Sequence, residues 1–339
     1  MNVVTVVLVL GAVLCGIRPS AEARGSGAPA GILASSERLR LAADWDAARA
    51  LVEGALRDSR PSEHDERSAD ANARILLLVE LSAIEREVNS YRRLGARTAS
   101  LAHLARAETL LDGADRESHA AFAEERAWLE YSRAFDGEVT FADVRRSFDE
   151  ARVLREQAGD EGGLAMAWFG IGLTHQQSGQ LAEARAAFRH GLGLAERSRA
   201  IVTEGYLQRH LGFVEADLSK SPAAALPYYE RSLALRRRGG HRWGAVFASI
   251  TLGRGLAETG RVGRGRWLLR RAAVVATKMG LTRGVAEAEE ALADLERSSK
   301  AGPAACRHLA EAARWWTSFG DPDRAAIEAR RVAWGCPRG

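Results

Sequence analysis

Apolar and small residues recur along this chain with a period of about 40 residues, and the recurrence persists where the side chains themselves change. Large apolar residues form one ladder, in which each member follows the last by one period: Phe148, Phe188, Tyr229, Leu269 and Leu309. The period between Phe188 and Tyr229 is longer by one residue than the others. Smaller residues form a second ladder in the same register: Val144, Ala184, Ala225, Gly265 and Ala305. A fixed period of this length indicates one supersecondary unit stacked repeatedly, each copy burying its face on the next.

The clearest copy, residues 167–195, predicts a pair of helices. Its first half has four residues at helical spacing, which we expect to be buried: Trp168, Ile171, Gly172 and His175. The run is broken at residues 178–180, and a second helix is predicted to begin near Leu181. Sustained alternation of apolar and polar residues, the pattern of a strand, is absent from the sequence. The fold class predicted is therefore all-α.

This copy resembles the tetratricopeptide repeat, whose pattern is Trp-x2-Leu-Gly-x2-Tyr followed by Ala-x3-Phe. The chain has Trp168, Ile171-Gly172 and His175 at the first spacing, then Ala184 and Phe188 at the second. The period is longer than that of the common unit, which has about 34 residues, and is similar to that of kinesin light chains and of some bacterial regulators. The resemblance implies a right-handed α-solenoid of antiparallel helix pairs, with a concave groove lined by the first helix of each copy.

The same register divides the whole chain. The glycines between copies suit helix ends that need a positive φ: Gly159, Gly239-Gly240, Gly280 and Gly320. Asp44 is expected to begin a helix, and Asp321-Pro322-Asp323 to begin another. The predicted division is a signal peptide (1–23), a first, incomplete repeat (24–60), an irregular second repeat (61–116), five repeats (117–320) and a C-terminal capping helix (321–339).

Residues 1–23 have the shape of a secretory signal. The apolar run Val3–Leu14 is too short to span a bilayer, and Ala21-Glu22-Ala23 resembles a cleavage site. The mature chain would then have no transmembrane span and would be periplasmic or secreted. Cys15 leaves a lipid-anchored protein as an alternative, although the residue before it, Leu14, is not small. The same run is also compatible with a retained anchor or a wrongly assigned start.

The positive charges are concentrated in one segment. Residues 231–283 contain 13 Lys or Arg and one acid, Glu258. A basic block of this kind binds an acidic protein face, anionic lipid or nucleic acid, or is simply a solvated helix surface in an arginine-rich chain. The solvated surface is the favoured interpretation, and whether the segment binds anything stays open. Nucleic acid is disfavoured by the export signal and by the lack of aromatic residues interleaved for base stacking.

Patterns typical of catalysis or of cofactor binding are missing. Gly170-x-Gly172 and Gly191-x-Gly193 lie within predicted helices without a preceding strand, so neither predicts a dinucleotide loop. His-x-x-x-His and Cys-x-x-Cys pairs do not occur. The scattered histidines are expected to be solvated or interfacial: His190, His210, His241 and His308. We therefore predict a protein that is not an enzyme and has no metal or cofactor.

The favoured function is an exported scaffold that binds a protein or peptide in its concave groove. The groove candidates come from the helix face opposite the packing ladder: Arg133, Gln176, Gln177, Arg209, Phe213, Asp217, Arg254 and Glu258. Arg209 and Arg254 are expected at equivalent places on successive first helices. A regulatory subunit that senses a ligand or peptide is the alternative, and a nucleic-acid-linked regulator is a weaker one. The partner, the pathway and the oligomeric state do not follow from the sequence.

Two cysteines remain after the signal, and we predict that they form a disulfide. Cys306 and Cys336 lie at equal separations in the sequence on either side of Asp321. If the two flanking helices pack antiparallel about that turn, both cysteines lie level at the same end. Two unpaired cysteines are the alternative.

Overall fold

The computed structural model describes residues 27–59, 68–92, 97–319 and 324–337, which form fifteen α-helices and no strand. The first four are α1 (Gly27–Leu41), α2 (Trp45–Asp58), α3 (Ser68–Tyr91) and α4 (Arg97–Glu108). Five regular pairs follow: α5 (Arg116–Ala134) and α6 (Phe141–Gln157), α7 (Glu161–Gln177) and α8 (Leu181–Arg197), α9 (Ile201–Ser219) and α10 (Pro222–Arg238), α11 (Arg242–Glu258) and α12 (Val262–Lys278), α13 (Thr282–Ser298) and α14 (Gly302–Phe319). The last helix is α15 (Arg324–Ala333). The predicted right-handed solenoid of helix pairs is confirmed.

The two predicted ladders form the contact between the helices of each pair. All five members of the large apolar ladder are buried, and all but Tyr229 are fully so. The small residues allow the close approach, since a Cβ added to Gly172 would overlap the Phe188 ring. Each pair then packs on the next, so the core runs the length of the stack.

Local sequence sets where the helices begin and end. The predicted helix at Asp44 is α2, and the Asp44 side chain caps it by accepting a hydrogen bond from the Ala47 backbone N–H. Thr140 and Asp143 form a reciprocal capping box at the start of α6. Positive φ values end three helices at predicted glycines: Gly159 (68°), Gly240 (69°) and Gly280 (65°). Residues 1–23, 60–65, 320–323, 338 and 339, on which other predictions fall, lie outside the described residues.

Two predicted core positions were wrong. Trp168 is only half-buried, at the edge between α6 and α8, where its ring lies 4.5 Å from that of His190. The next residue, Phe169, is fully buried in its place, because its direction from α7 points further into the stack. His175 is also half-buried, and its Nδ1 lies 2.7 Å from the Gln180 side-chain oxygen at the turn to α8.

The C-terminal end of the stack is cross-linked. Cys306 in α14 and Cys336, just after α15, form a disulfide with 5.4 Å between their Cα atoms. The bridge therefore ties the last helix to the final pair, the arrangement that antiparallel packing predicts. In the described ranges, no helix combines the length and the apolar character needed to cross a membrane.

Candidate binding site in the concave interior

The first helices of the array meet α11 and α13 across its concave face. Helices α1 and α3 contact α11 and α13. Trp243 Nε1 donates a 3.0 Å hydrogen bond to the backbone oxygen of Arg40. The Tyr91 ring centroid lies 4.2 Å from that of Trp243, 5.2 Å from that of Phe247 and 6.3 Å from that of Trp45. These four aromatic residues, here the aromatic junction, are each at most 4% exposed and fill the space between these helices.

Beside the aromatic junction lie four buried basic side chains, here the interior basic cluster: Arg209, His210, Arg236 and His241. His241 joins the two groups, because its ring meets Trp243 edge-on at 4.3 Å between centroids. The Arg236 guanidinium lies 4.1 Å above the Tyr206 ring, and its Nη1 is 3.3 Å from His241 Nδ1. Its Nη2 is buried and has no hydrogen-bond partner.

Helix α9 supplies the other two members of the cluster. Arg209 Nε donates a 3.0 Å hydrogen bond to Thr251 Oγ1, and the guanidinium lies 5.1 Å from the Phe213 ring centroid. His210 Nδ1 lies 2.9 Å from Gln176 Oε1 and donates to it, since an amide oxygen only accepts. His210 Nε2 is buried without a partner. The cluster therefore retains unused donor and acceptor capacity.

Burial and mutual repulsion shift the titration of the cluster. Burial lowers the pKa of Arg209 to about 10, and the nearby charge of Arg236 contributes to the lowering. Burial also lowers the pKa of Arg236. The pKa values of His210 and His241 fall well below the usual value for the same reasons. At neutral pH both histidines are neutral and both guanidiniums are charged.

In the described part of the chain, each of the other buried arginines pairs with an acid, whereas Arg209 and Arg236 do not. Four form ion pairs with buried or partly buried carboxylates: Arg40, Arg86, Arg155 and Arg283. Among the described residues, no carboxylate lies within ion-pair distance of Arg209 or Arg236. Glu287 acts on the pKa of Arg209 from further away, but its Oε1 already accepts a 2.7 Å hydrogen bond from Arg283. The interior basic cluster is therefore a buried positive region that lacks a counter-ion within this part of the chain.

The predicted groove residues are on the inner helices α5, α7, α9 and α11, but only some come together. Gln176, Arg209 and Phe213 meet around His210, with 5.4 Å between the His210 and Phe213 ring centroids. Arg254 turns to α13, where its Nη2 donates a 3.2 Å hydrogen bond to the Glu287 backbone oxygen.

The remaining candidates lie towards the ends of the inner helices. Arg133 pairs with Glu138 at 2.7 Å, and Gln177 donates a 3.2 Å hydrogen bond to the Tyr131 hydroxyl. Asp217 and Glu258 are exposed. They form a polar rim outside the buried cluster rather than part of it.

Several predictions about the basic residues need correction. Arg209 is 3% exposed and does not line an open channel. The register places Ile250, not Arg254, at the position equivalent to Arg209, because the period between α9 and α11 is about 41 residues and Arg254 lies one helical turn further along. Of the two predicted roles, solvated or interfacial, His210 and His241 do not take the solvated one, because both are buried at contacts with neighbouring helices. Arg236 is not part of a solvated face.

The register contains a signal for the burial of Arg236. Counting in the same periods along the chain gives Arg155, Ala195, Arg236 and Ala276, and all four are at most 1% exposed. A position that takes alanine in two copies of the repeat is a packing position, so an arginine there is buried. The pairing of Trp243 with the far end of the chain has no comparable signal, since the repeat register relates only neighbouring copies.

No family model and no characterised protein sequence matches this chain. Among solved structures, a Rap protein complexed with Competence and Sporulation Factor is similar, with a TM-score of 0.69 and 12% identity over 91% of this chain and 82% of that one. NprR in complex with its cognate peptide NprX has a TM-score of 0.52 and 11% identity, covering 90% and 84% of the two chains. Aspartyl phosphate phosphatase F from Bacillus subtilis has 0.51 and 13%, covering 93% and 85%.

The chain folds as a tetratricopeptide-type solenoid. At identities of 11–13%, these similarities concern the fold alone.

Proposed function

We propose that this tetratricopeptide-type scaffold binds a peptide or protein element through a carboxylate in its concave interior. The observation that carries the proposal is the pair of buried, charged guanidiniums, Arg209 and Arg236, with no ion-pair partner in the described chain. A buried unpaired charge costs several kcal/mol, on the order of the penalty for breaking a buried ion pair. A carboxylate would neutralise that charge and accept paired guanidinium hydrogen bonds.

Similar folds supply the support for a peptide. One of the similar structures is complexed with Competence and Sporulation Factor, and another with its cognate peptide. Those complexes belong to other proteins of low identity, and they support peptide binding here as a property of solenoids with this shape. An extended peptide also suits an inner surface built from the successive first helices.

A second candidate, a ligand-sensing regulatory subunit, is favoured by the aromatic junction. The junction lies beside the interior basic cluster and closes the concave face. A ligand that reaches the cluster would have to separate α1 and α3 from α11 and α13. That movement would break the Trp243–Arg40 hydrogen bond and change the curvature of the superhelix. Binding and a change of shape would then be coupled.

The proposed location is the periplasm or the exterior. The apolar run Val3–Leu14 supports export, and the Cys306–Cys336 disulfide is typical of an oxidising compartment. Thiol titration of the protein isolated from its native cells, under denaturing and non-reducing conditions, tests this. We expect no reactive thiol in a chain whose amino terminus follows Ala23. Two reactive thiols per chain would contradict it.

An array of random peptides with free carboxyl termini tests the interior site. We expect wild-type protein to select peptides whose binding falls at least tenfold when the required carboxylate is amidated. The variant Arg236→Met should lose the same peptides. As a matched control, Arg261→Met removes an exposed arginine that lies outside the cluster and should retain them. Equal binding of the selected peptides by wild type and Arg236→Met would overturn the proposal.

A further inference from the structure

The outer side of the array has a second cationic feature, separate from the interior basic cluster. A cleft of about 150 Å³ lies between α10 and α12, with α11 beneath it. Apolar side chains of α11 and α12 line it, among them Val246, Leu268 and Val275. A space of this size admits one aromatic ring or one branched side chain, because a cavity of about 150 Å³ holds benzene.

Three arginines surround the cleft, one from each helix: Arg237, Arg242 and Arg271. All three are exposed, and none pairs with an acid among the described residues. Several other arginines of the basic segment do have acids. For example, Arg264 pairs with Glu230 at 3.4 Å, and Arg266 pairs with Glu296 at 2.8 Å. Three unpaired positive charges of this face therefore lie around one cleft.

Helix α12 adds an exposed apolar stripe next to the cleft. Trp267 is 55% exposed and Val274 is 56% exposed, one turn before and one turn after Arg271. The Arg271 guanidinium lies 5.3 Å from the Trp267 ring centroid, which orients it along the stripe. Tryptophan and arginine are the residues most enriched at the energetic centres of protein interfaces. This composition favours a protein partner over a diffuse counter-ion atmosphere.

We propose that this cleft is a docking site for an acidic segment of a partner protein that inserts one aromatic or branched side chain between α10 and α12. Carboxylates flanking the inserted residue pair with Arg237, Arg242 and Arg271, while the residue itself contacts Val246 and Leu268. Charge complementarity sets the class of partner, and the volume of the cleft sets the anchor. The site is independent of carboxylate binding in the interior.

Two labelled polymers of matched length test the proposal on the intact protein: polyglutamate, and a random copolymer of glutamate and tyrosine. We expect the copolymer to bind wild-type protein at least tenfold more tightly by fluorescence anisotropy, because only it can fill the cleft. The double variant Arg237→Glu/Arg271→Glu should lower the copolymer affinity at least tenfold. The control Arg261→Glu/Arg264→Glu makes the same change of charge on the same segment and should lower it less than threefold.

Two further variants separate the contribution of the cleft from those of its surrounding charges and of the interior basic cluster. Ala245→Leu reduces the cleft without a change of charge and should bring the copolymer affinity down to that of polyglutamate. Arg236→Met, which removes an interior charge, should leave copolymer binding unchanged, so that the two proposals fail separately. Equal affinity of the two polymers, or equal loss in both double variants, would overturn the docking site. Tighter binding of oligodeoxythymidylate or of phosphatidylglycerol vesicles than of the copolymer would also overturn it.

Discussion

The turn from α6 to α7 and the turn from α10 to α11 occupy the same place in two copies of the repeat but carry different charges. Arg155 and Arg236 are related by two successive periods of the register, and each is 1% exposed. The fifth residue after each arginine is its partner across the turn. Arg155 Nη1 meets Asp160 at 2.9 Å, whereas Arg236 Nη1 meets His241 at 3.3 Å. The same backbone therefore presents a carboxylate in one copy and an imidazole in the other.

The packing around the two arginines is shared as well. Gly163 and Gly244 are equivalent residues at the start of the next helix. A Cβ at Gly163 would overlap the Arg155 side chain, and a Cβ at Gly244 would overlap that of Arg236. Both helices leave room for an arginine, so the space that Arg236 occupies is present in both copies of the repeat. The absence of an acid beside Arg236 therefore does not result from a change of backbone.

The second acid that pairs with Arg155 has an equivalent in the copy that contains Arg236, but that equivalent pairs with a different arginine. Arg155 also contacts Glu124 of α5 at 2.8 Å. The equivalent residue of α9 is Glu204, which pairs with the exposed Arg231 at 3.0 Å instead of with Arg236. Both carboxylates that stabilise Arg155 are thus absent from Arg236. A fold that needs the arginine only for packing would have no reason to retain its charge, which is why we assign that charge to a ligand.

Arg155→Met is the change with the largest expected effect on stability. It leaves Glu124 and Asp160 without their guanidinium, and Glu124 is fully buried. We expect a loss of about 3–5 kcal/mol in the free energy of unfolding, the range for removing one partner of a buried ion pair. Urea unfolding followed by circular dichroism measures it. A loss below about 1 kcal/mol would show that the pair contributes little and would remove the basis of the comparison.

Arg236→Met should change the free energy of unfolding in the opposite direction. It removes a buried charge, leaves no carboxylate unpaired and keeps much of the side-chain volume. Replacing buried charges with apolar groups of similar size stabilises proteins by roughly 1–4 kcal/mol in favourable cases. The same unfolding measurement should therefore give a gain or no change, together with the loss of peptide binding. A destabilisation as large as that of Arg155→Met would mean that Arg236 has an internal counter-ion.

His241→Asp should give the turn from α10 to α11 the same arginine–aspartate pair as the turn from α6 to α7. The new carboxylate would lie where Asp160 lies and would pair with Arg236, raising the pKa of the arginine. We expect the affinity for carboxylate peptides to fall at least tenfold, because the internal acid competes for the guanidinium, with a gain in stability of about 1 kcal/mol. His241→Asn, which adds no charge, is the matched control. Unchanged peptide affinity in His241→Asp would place the ligand away from Arg236.

The sequence predicted the parts of the fold that the register controls. The ladder through Phe188 located the helix pairs, because each copy packs mainly on its neighbours. The aromatic junction could not be predicted in the same way, since Trp243 bonds to a residue 203 positions earlier in the chain. Of the interior basic cluster, Arg209 was identified as a candidate, and the same register could have identified Arg236 from Ala195 and Ala276.

The pH dependence of the free energy of unfolding compares the two turns through the smallest expected effect, that of the single residue His241. Burial and the charge of Arg236 hold the pKa of His241 well below its usual value of about 6.5. Below that pH the unfolded chain binds a proton at this residue and the folded chain does not, so the free energy of unfolding falls as the pH falls. The contribution is fully present above about pH 6.5 and is lost progressively from there down towards the folded pKa.

For His241→Gln, which does not titrate, the wild-type advantage should decline as the pH falls below about 6.5, with a slope that approaches about 1.4 kcal/mol per pH unit. Burial raises the pKa of some carboxylates, such as those of Glu87 and Glu290, and these also contribute to the pH dependence of stability. Their contribution cancels in the difference between wild type and His241→Gln, because both proteins share them. Urea unfolding at half-unit intervals of pH measures the slope. Asp160→Asn provides the comparison from the paired turn, which has no imidazole at that position. A flat difference for His241→Gln would show that His241 gains a proton in the folded state as readily as in the unfolded one, and that the interior basic cluster is open to solvent.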